Sequence, residues 1–261
     1  MSQVEGRNPV LETLKRGGIR KLLVVEGSTS DPKVKEIVDL AKRRKTPVEF
    51  VEKLVLDKMS DTRHHQGVIA LVEAPGYVAL NQVVEKSGRE PCVVILDGVQ
   101  DPQNLGSILR TADAAGVAAV LIPKKEGVGL TPTVLRVSMG GGAYVPVARE
   151  NIYPAVKFLK DEDFKLVAVD TSGDHDLWEE DLTGAVAFVL GSEGEGISPT
   201  LLDKCDSVVR IPMRGHVSNL NVGVSAAVVL YERLRQIEVK REGSDAHEKV
   251  VASRHLDESH I

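Results

Sequence analysis

From residue 92 onward the chain repeats one pattern, and that pattern constrains the fold more than anything else in it. Short runs dominated by β-branched and aliphatic residues stand at 92–96 (CVVIL), 118–122 (AAVLI), 166–169 (LVAV), 185–190 (AVAFVL) and 207–211 (SVVRI). Each is followed by a stretch with helical spacing, at 106–115, 131–137, 152–161, 199–204 and 222–237. A strand that is apolar at every position, not at alternate ones, has to be covered on both faces. The alternation with helices therefore predicts an α/β domain with a parallel sheet between two helical layers, and excludes a helical bundle or an all-β sandwich.

The first part of the chain carries a smaller version of the same alternation. Asn8-Pro9 opens a helix to about Lys15, closed by Gly17-Gly18, with Pro at a position where its missing N–H costs nothing. Residues 21–25 (KLLVV) form a buried strand, and Asp31-Pro32 starts a helix whose Val34, Ile37, Val38 and Ala41 share one face. Strands follow at 48–51 and 68–72. The unit ends near Ala74-Pro75-Gly76, a helix lies around 80–86, and Ser87-Gly88-Arg89-Glu90-Pro91 is turn-like. The expected organisation is a first unit over 1–76, a linker over 77–90, a second unit over 91–238 and a flexible tail over 239–261, where charges, Ser and His follow one another without a period.

Charge separates the two units. Residues 1–76 hold 14 Lys+Arg against 11 Asp+Glu, and residues 77–261 hold 19 against 27, within a net charge of −5 for the whole. Such asymmetry predicts different partners for the two units. Aromatic residues are only 3%, which excludes a single-strand binder built on rows of stacked rings. Cys92 and Cys205 stand alone, far apart, so neither a disulfide scaffold nor a Cys-rich zinc site is expected, and no metal site is foreseen. The polar start shows no apolar leader and the apolar runs are too short for a bilayer, so a cytoplasmic protein without a membrane partner is expected.

Three segments could carry chemistry. In the first, a strand leaves into Asp97-Gly-Val-Gln-Asp101-Pro-Gln-Asn104, with Asn104 as the expected N-cap of a helix. That helix buries Leu105, Ile108, Leu109 and Ala112 and turns Ser107, Arg110 and Thr111 outward. The second is Leu190-Gly191-Ser192-Glu193-Gly194-Glu195-Gly196-Ile197. Its glycines allow a close backbone approach to a ligand, but the spacing is GxxGxG where a dinucleotide site needs GxGxxG. The two acids would also repel a pyrophosphate, so a neutral or cationic ligand fits better. The third is Ile211-Pro-Met213-Arg-Gly-His216-Val-Ser218-Asn219-Leu220-Asn221, which sets neutral hydrogen-bonding groups at a helix start, before a helix that is apolar nearly all round.

Together these segments resemble motifs one, two and three of the SpoU (TrmH-type) RNA ribose 2′-O-methyltransferases, in the family's order and spacing across about 91–237. Glu5-Gly-Arg-Asn-Pro-Val and His65-Gln-Gly-Val resemble the ribosomal-protein L30e-like α/β substrate-binding domain that precedes the catalytic domain in the RlmB-type branch. The resemblance implies a SPOUT α/β-knot, that is, a parallel sheet with a C-terminal trefoil knot, working as a homodimer packed through the knot region. It implies S-adenosyl-L-methionine as cofactor and a guanosine 2′-hydroxyl of 23S rRNA as acceptor. A tRNA ribose methyltransferase of the same family and a non-catalytic RNA-binding relative are the alternatives; no DNA partner is expected.

By the same resemblance, Gly191, Ile211, Met213 and Leu220 bind the cofactor, and Arg110, Asn104, Glu193, Asn219 and Asn221 serve catalysis. An arginine is very hard to deprotonate, so Arg110 is expected to orient a phosphate and stabilise a forming alkoxide. Many relatives have Ser-Leu-Asn where this chain has Asn219-Leu220-Asn221, and Gly223 stands where Ser is common. Lys15, Arg16, Arg20, Lys21, the run from Lys42 to Lys45 and Arg63-His64-His65 are the candidate phosphate contacts of the first unit.

Overall fold

The computed structural model describes residues 2–60, 63–72 and 76–257. Expectations that fall on 74–75 and 258–261 lie outside the described residues. Two sheets organise the chain. The first unit runs β1 (Ser2–Glu5), α1 (Arg7–Arg16), β2 (Ile19–Val25), α2 (Pro32–Arg43), β3 (Val48–Val51), α3 (Lys53–Met59) and β4 (Val68–Val72), with strand order β1-β4-β2-β3. Pairing is antiparallel on both sides of β4 and parallel between β2 and β3. Asp31 caps α2, its side chain accepting from the N–H groups of Lys33 and Val34, with Pro32 at the first helical position. The apolar face of α2 packs with Val10 and Leu14 of α1 against Leu22, Val24 and Val68.

The second unit continues with α4 (Leu80–Val84), β5 (Cys92–Asp97), α5 (Pro102–Ala114), β6 (Ala119–Pro123), α6 (Pro132–Val137), β7 (Val147–Glu150), α7 (Ile152–Asp161), β8 (Lys165–Val169), β9 (His175–Asp176), β10 (Val186–Gly191), α8 (Pro199–Leu202), β11 (Ser207–Arg210) and α9 (Val222–Asp257). All seven strands pair in parallel, in the order β7-β6-β5-β10-β8-β11-β9. Alternate side chains of the central strands feed two separate cores. Val94, Leu96, Phe188 and Leu190 face α5 and α9, while Val93, Ile95, Ala187 and Val189 face α4 and α7. The parallel, doubly covered sheet read from the sequence is therefore observed.

Several boundaries differ from expectation. Residues 77–90 are no free linker: Val78 bridges Ala148 in parallel, and Leu80 and Val84 are buried in the second core. The helix expected to end near Ile237 continues to Asp257, so the stretch expected as an aperiodic tail is helical. Lys, Glu, Arg and Ala are good helix formers, and helix backbone needs no apolar stripe to form. Asn104 does not cap α5. Asp101 does, accepting from the Gln103 N–H at 2.8 Å, with Pro102 next, so the helix begins two residues before Asn104 and carries it in its first turn.

Candidate active site

Three strand ends converge at the carboxyl edge of the second sheet, where open α/β proteins place ligands. β5 and β10 are neighbours with Gly191 opposite Asp97, and β8 lies on the other side of β10. The motifs after β5 and β10 and before α9 meet there. Asn104 is 7% exposed. Its Nδ2 donates to Glu193 Oε1 at 3.1 Å, and its Oδ1 accepts from Asn221 Nδ2 at 2.8 Å. Asn221 Nδ2 also donates to Glu193 Oε1, closing a triangle of three side chains from three motifs. Asn221 Oδ1 accepts from the N–H groups of Gly223 at 2.9 Å and Val224 at 3.3 Å, which caps α9 as its sequence predicts. One amide thus both starts a helix and fixes a carboxylate.

Backbone sterics shape the segment that carries Glu193. Ser192 and Gly196 exchange N–H···O bonds at 3.1 and 3.0 Å, folding the loop back on itself. A Cβ on Gly191 would fall against the carbonyl of Gly196 and the N of Ile197, far inside contact distance. Gly196 adopts φ +70°, a left-handed conformation natural to glycine. The folded loop walls a cleft of about 350 Å³. Its lining is apolar at Leu190, Ile211, Met213 and Leu220, and acidic at Asp170, Glu193 and Glu195.

All four residues expected to bind the cofactor, Gly191, Ile211, Met213 and Leu220, line this cleft, as do Glu193 and Asn219. Asp170, Thr171 and Ser225 line it too and were missed. A signal for the first two existed, since Asp170-Thr171 directly follows strand β8 at the same sheet edge. A second cavity, of about 680 Å³, opens on the other face of the loop, bordered by Asp97, Gln100, Asn104 and Glu126. Glu193 and Val222 border both spaces.

Arg110 is not part of the triangle. It lies on α5 one turn beyond Ser107, whose Cβ faces Gly223 at the start of α9, and its Cα packs against Gly141. Its side chain is exposed, and among the described residues it makes no ion pair or hydrogen bond. Exposed Val224 (48%) and Tyr231 (53%) stand on the outer face of α9. Burial pushes the Cys92 thiol up to about 12 and the Cys205 thiol up to about 11, which disfavours the thiolate at both.

In the first unit, Lys42 and Arg43 end α2 in the open, while Lys15 pairs with Glu12 and Lys21 with Glu49. His65 is a correction. It is 6% exposed, its Nδ1 accepts from the Gly67 N–H at 3.0 Å, and its Nε2 meets Asp57 at 2.9 Å, so it shapes the turn before β4 and is not open to a ligand. Among the described residues no group of His, Cys, Asp and Glu could hold a metal ion, and no helix is long and apolar enough to cross a membrane.

A parallel sheet with an apolar and acidic cleft at its carboxyl edge, bounded by a glycine-rich loop with no phosphate-binding spacing, defines an α/β protein with a site suited to a neutral or cationic ligand beside a polar triangle. The comparisons give the class its family. Residues 91–231 match the SpoU rRNA Methylase family, and residues 3–78 match the RNA 2′-O ribose methyltransferase substrate-binding family. A protein of Bacillus subtilis named for the TrmH family of tRNA/rRNA methyltransferases is 37% identical over 237 residues, 89% of this chain and 95% of its own. The crystal structure of an AdoMet-bound rRNA methyltransferase from Sinorhizobium meliloti has a TM-score of 0.74 at 26% identity, covering 90% of this chain and 87% of that one. That of an RNA 2′-O ribose methyltransferase has a TM-score of 0.73 at 31% identity, covering 90% and 88%. The chain belongs to the SpoU rRNA Methylase family. It is an RNA 2′-O-ribose methyltransferase that uses S-adenosyl-L-methionine.

Proposed function

We propose that the chain methylates the 2′-oxygen of a guanosine in 23S rRNA, in the cytoplasm, as a homodimer. The observation that carries the site assignment is the Asn104–Glu193–Asn221 triangle standing between two cavities. The cleft fits S-adenosyl-L-methionine by its chemistry: apolar side chains for an adenosine, the backbone of Gly191 in the wall, and carboxylates for a cation. When bound there, the cofactor supplies a methyl group on a positively charged sulfur.

The protein's task is to bring a ribose oxygen in line with that methyl group and to favour the charge that develops on the oxygen. Gly191, Ile211, Met213 and Leu220 hold the donor. Asn104 and Asn221 fix the Glu193 carboxylate so that it faces both donor and acceptor sides. Asn219, lining the cleft, donates and accepts hydrogen bonds where a hydroxyl is common in the family. Arg110 orients the phosphate beside the target ribose and stabilises the forming alkoxide, since a guanidinium does not serve as a base near neutral pH. Exposed Val224 and Tyr231 on α9, which packs against α5, are where a second copy would pack. The trefoil knot implied by the family is assigned to the segment running from the glycine loop to Asn221.

Ribose-methylation mapping of rRNA and tRNA from a deletion strain tests the substrate. Loss of one 23S mark supports the assignment; loss of a tRNA mark instead moves the substrate to tRNA. Arg110→Ala should lower methyl transfer about 100-fold or more while S-adenosyl-L-methionine binding stays within about twofold, because Arg110 lies outside the cleft. A wild-type protein that binds no cofactor would leave an RNA-binding module without catalysis.

A further inference from the structure

A third concave region lies at the same sheet edge but away from the glycine loop, between the ends of β6 and β7 and the start of α7. It has a volume of about 450 Å³ and is lined by Tyr77, Lys124, Arg149 and Asn151, among others. Its cations are held open. Arg149 Nη2 donates to the Lys124 carbonyl at 3.3 Å, and Nη1 donates to Tyr77 Oη at 3.4 Å. The guanidinium carbon sits 5.4 Å from the Tyr77 ring centroid. Tyr77 Oη also accepts from the Leu130 N–H at 3.0 Å, so the ring is anchored from two sides.

Among the described residues neither Arg149 nor Lys124 is paired with a carboxylate, and Arg149 Nε is buried with no hydrogen-bond partner. Glu150, the acid in the lining, has Oε1 turned to accept from the Leu80 N–H at 2.9 Å. The start of α7 adds to the positive field: Asn151 makes no side-chain cap, which leaves the first-turn N–H groups open. This concentration of positive charge stands in the unit whose overall balance is acidic.

The geometry points to a phosphate-contact site for the RNA backbone at Lys124 and Arg149. Position favours RNA over a free anion. The match to the substrate-binding family ends at residue 78 and the catalytic match starts at residue 91, so Tyr77 stands, in sequence, where the RNA-binding unit joins the unit that carries the catalytic site. The inference rests on the proposed function, since it requires an RNA acceptor. It assigns the catalytic unit its own grip on the strand, beyond the basic surface of the first unit.

The test uses full-length 23S rRNA transcript as probe with Lys124→Ala and Arg149→Gln. Each should weaken RNA binding about fivefold to tenfold and flatten the slope of log K against log salt by about 0.7–0.9. The KM for RNA should rise by a similar factor, while kcat at saturating RNA and S-adenosyl-L-methionine affinity by calorimetry stay within about twofold. Lys124 is exposed, so its variant keeps the test open if Arg149→Gln fails to fold. Wild-type methyl transfer with an unchanged Lys124→Ala salt slope overturns this site alone. Inorganic phosphate that competes with RNA no better for wild type than for Lys124→Ala also overturns it. Absence of RNA binding and methyl transfer in the wild type overturns the proposed function with it.

Discussion

Gly191→Ala isolates the contribution of one backbone approach to cofactor binding. A Cβ built at residue 191 meets the carbonyl carbon and oxygen of Gly196 and the N of Ile197, whereas real Cβ atoms essentially never come within 3.0 Å of such neighbours. The shortfall is about 1 Å, and the obstacle is backbone on both sides, so no side-chain rotation relieves it. The 192–196 turn must open, which strains the paired N–H···O bonds between Ser192 and Gly196 and shifts Glu193 away from Asn104 and Asn221. Overpacking of this kind costs about 1–3 kcal/mol, which is about fivefold to 150-fold in an equilibrium constant where binding needs the loop in its native shape. Calorimetric titration with S-adenosyl-L-methionine should therefore show affinity lower by about tenfold to 100-fold, with a lower Tm. Gly194→Ala is the control: nothing lies within 4 Å of its Cβ, and its φ is outside the left-handed range, so affinity and Tm should stay near wild type. Wild-type affinity in Gly191→Ala would refute the steric argument; equal losses at 191 and 194 would show that loop flexibility, and no particular contact, sets the affinity.

Asn104→Ala should lower Tm and methyl transfer together, because it removes the buried member of the triangle and its bonds to Asn221 and Glu193, at about 0.5–1.5 kcal/mol for each bond; differential scanning fluorimetry and a transfer assay check both, and an unchanged Tm would count against the triangle as a structural tie. Glu180→Gln should destabilise the edge of the sheet at β8 and β9 by about 1–3 kcal/mol at neutral pH. Burial works to raise the Glu180 carboxyl, but hydrogen bonds from Lys165 and His175 outweigh it and hold it below the usual glutamate range. A lowered folded pKa means that this stabilisation is present above the ordinary carboxylate pKa and is lost as pH falls through the folded value, so urea midpoints of wild type and variant should converge in acid. A constant gap at all pH would refute the charge argument.

The sequence made the second sheet legible because its central strands are covered on both faces and so read as unbroken apolar runs. The edge elements were not legible for the same reason in reverse. β7 is four residues with two buried, and β9 is two residues, too short for any period to register. α3 buries only Leu56 and looks like surface. Asp101-Pro102 is the same start signal as Asp31-Pro32, yet the eye is drawn to the polar residue nearest the apolar stripe. Misplacing that cap hid the fact that Asn104 is free to turn inward. That Gly191, Ile211, Met213 and Leu220 line one cleft was legible through motif resemblance, whereas Asp170 and Thr171 needed the strand order that sets β8 beside β10. No periodicity encodes a knot, since connections normally do not thread one another.

The triangle joins residues 89 and 117 positions apart in the chain, and that separation sets an order of events. The first sheet closes using only residues up to Val72. The cleft lacks the wall formed by Ile211, Met213 and Leu220, and the triangle lacks Asn221, until that late part of the chain has been made and has docked. A nascent chain can thus present a finished RNA-gripping unit well before it can modify anything, and the last contact made in synthesis is the one that arms the enzyme. Loop closure over so long a span is slow relative to local folding, so the triangle is expected to form after the first sheet.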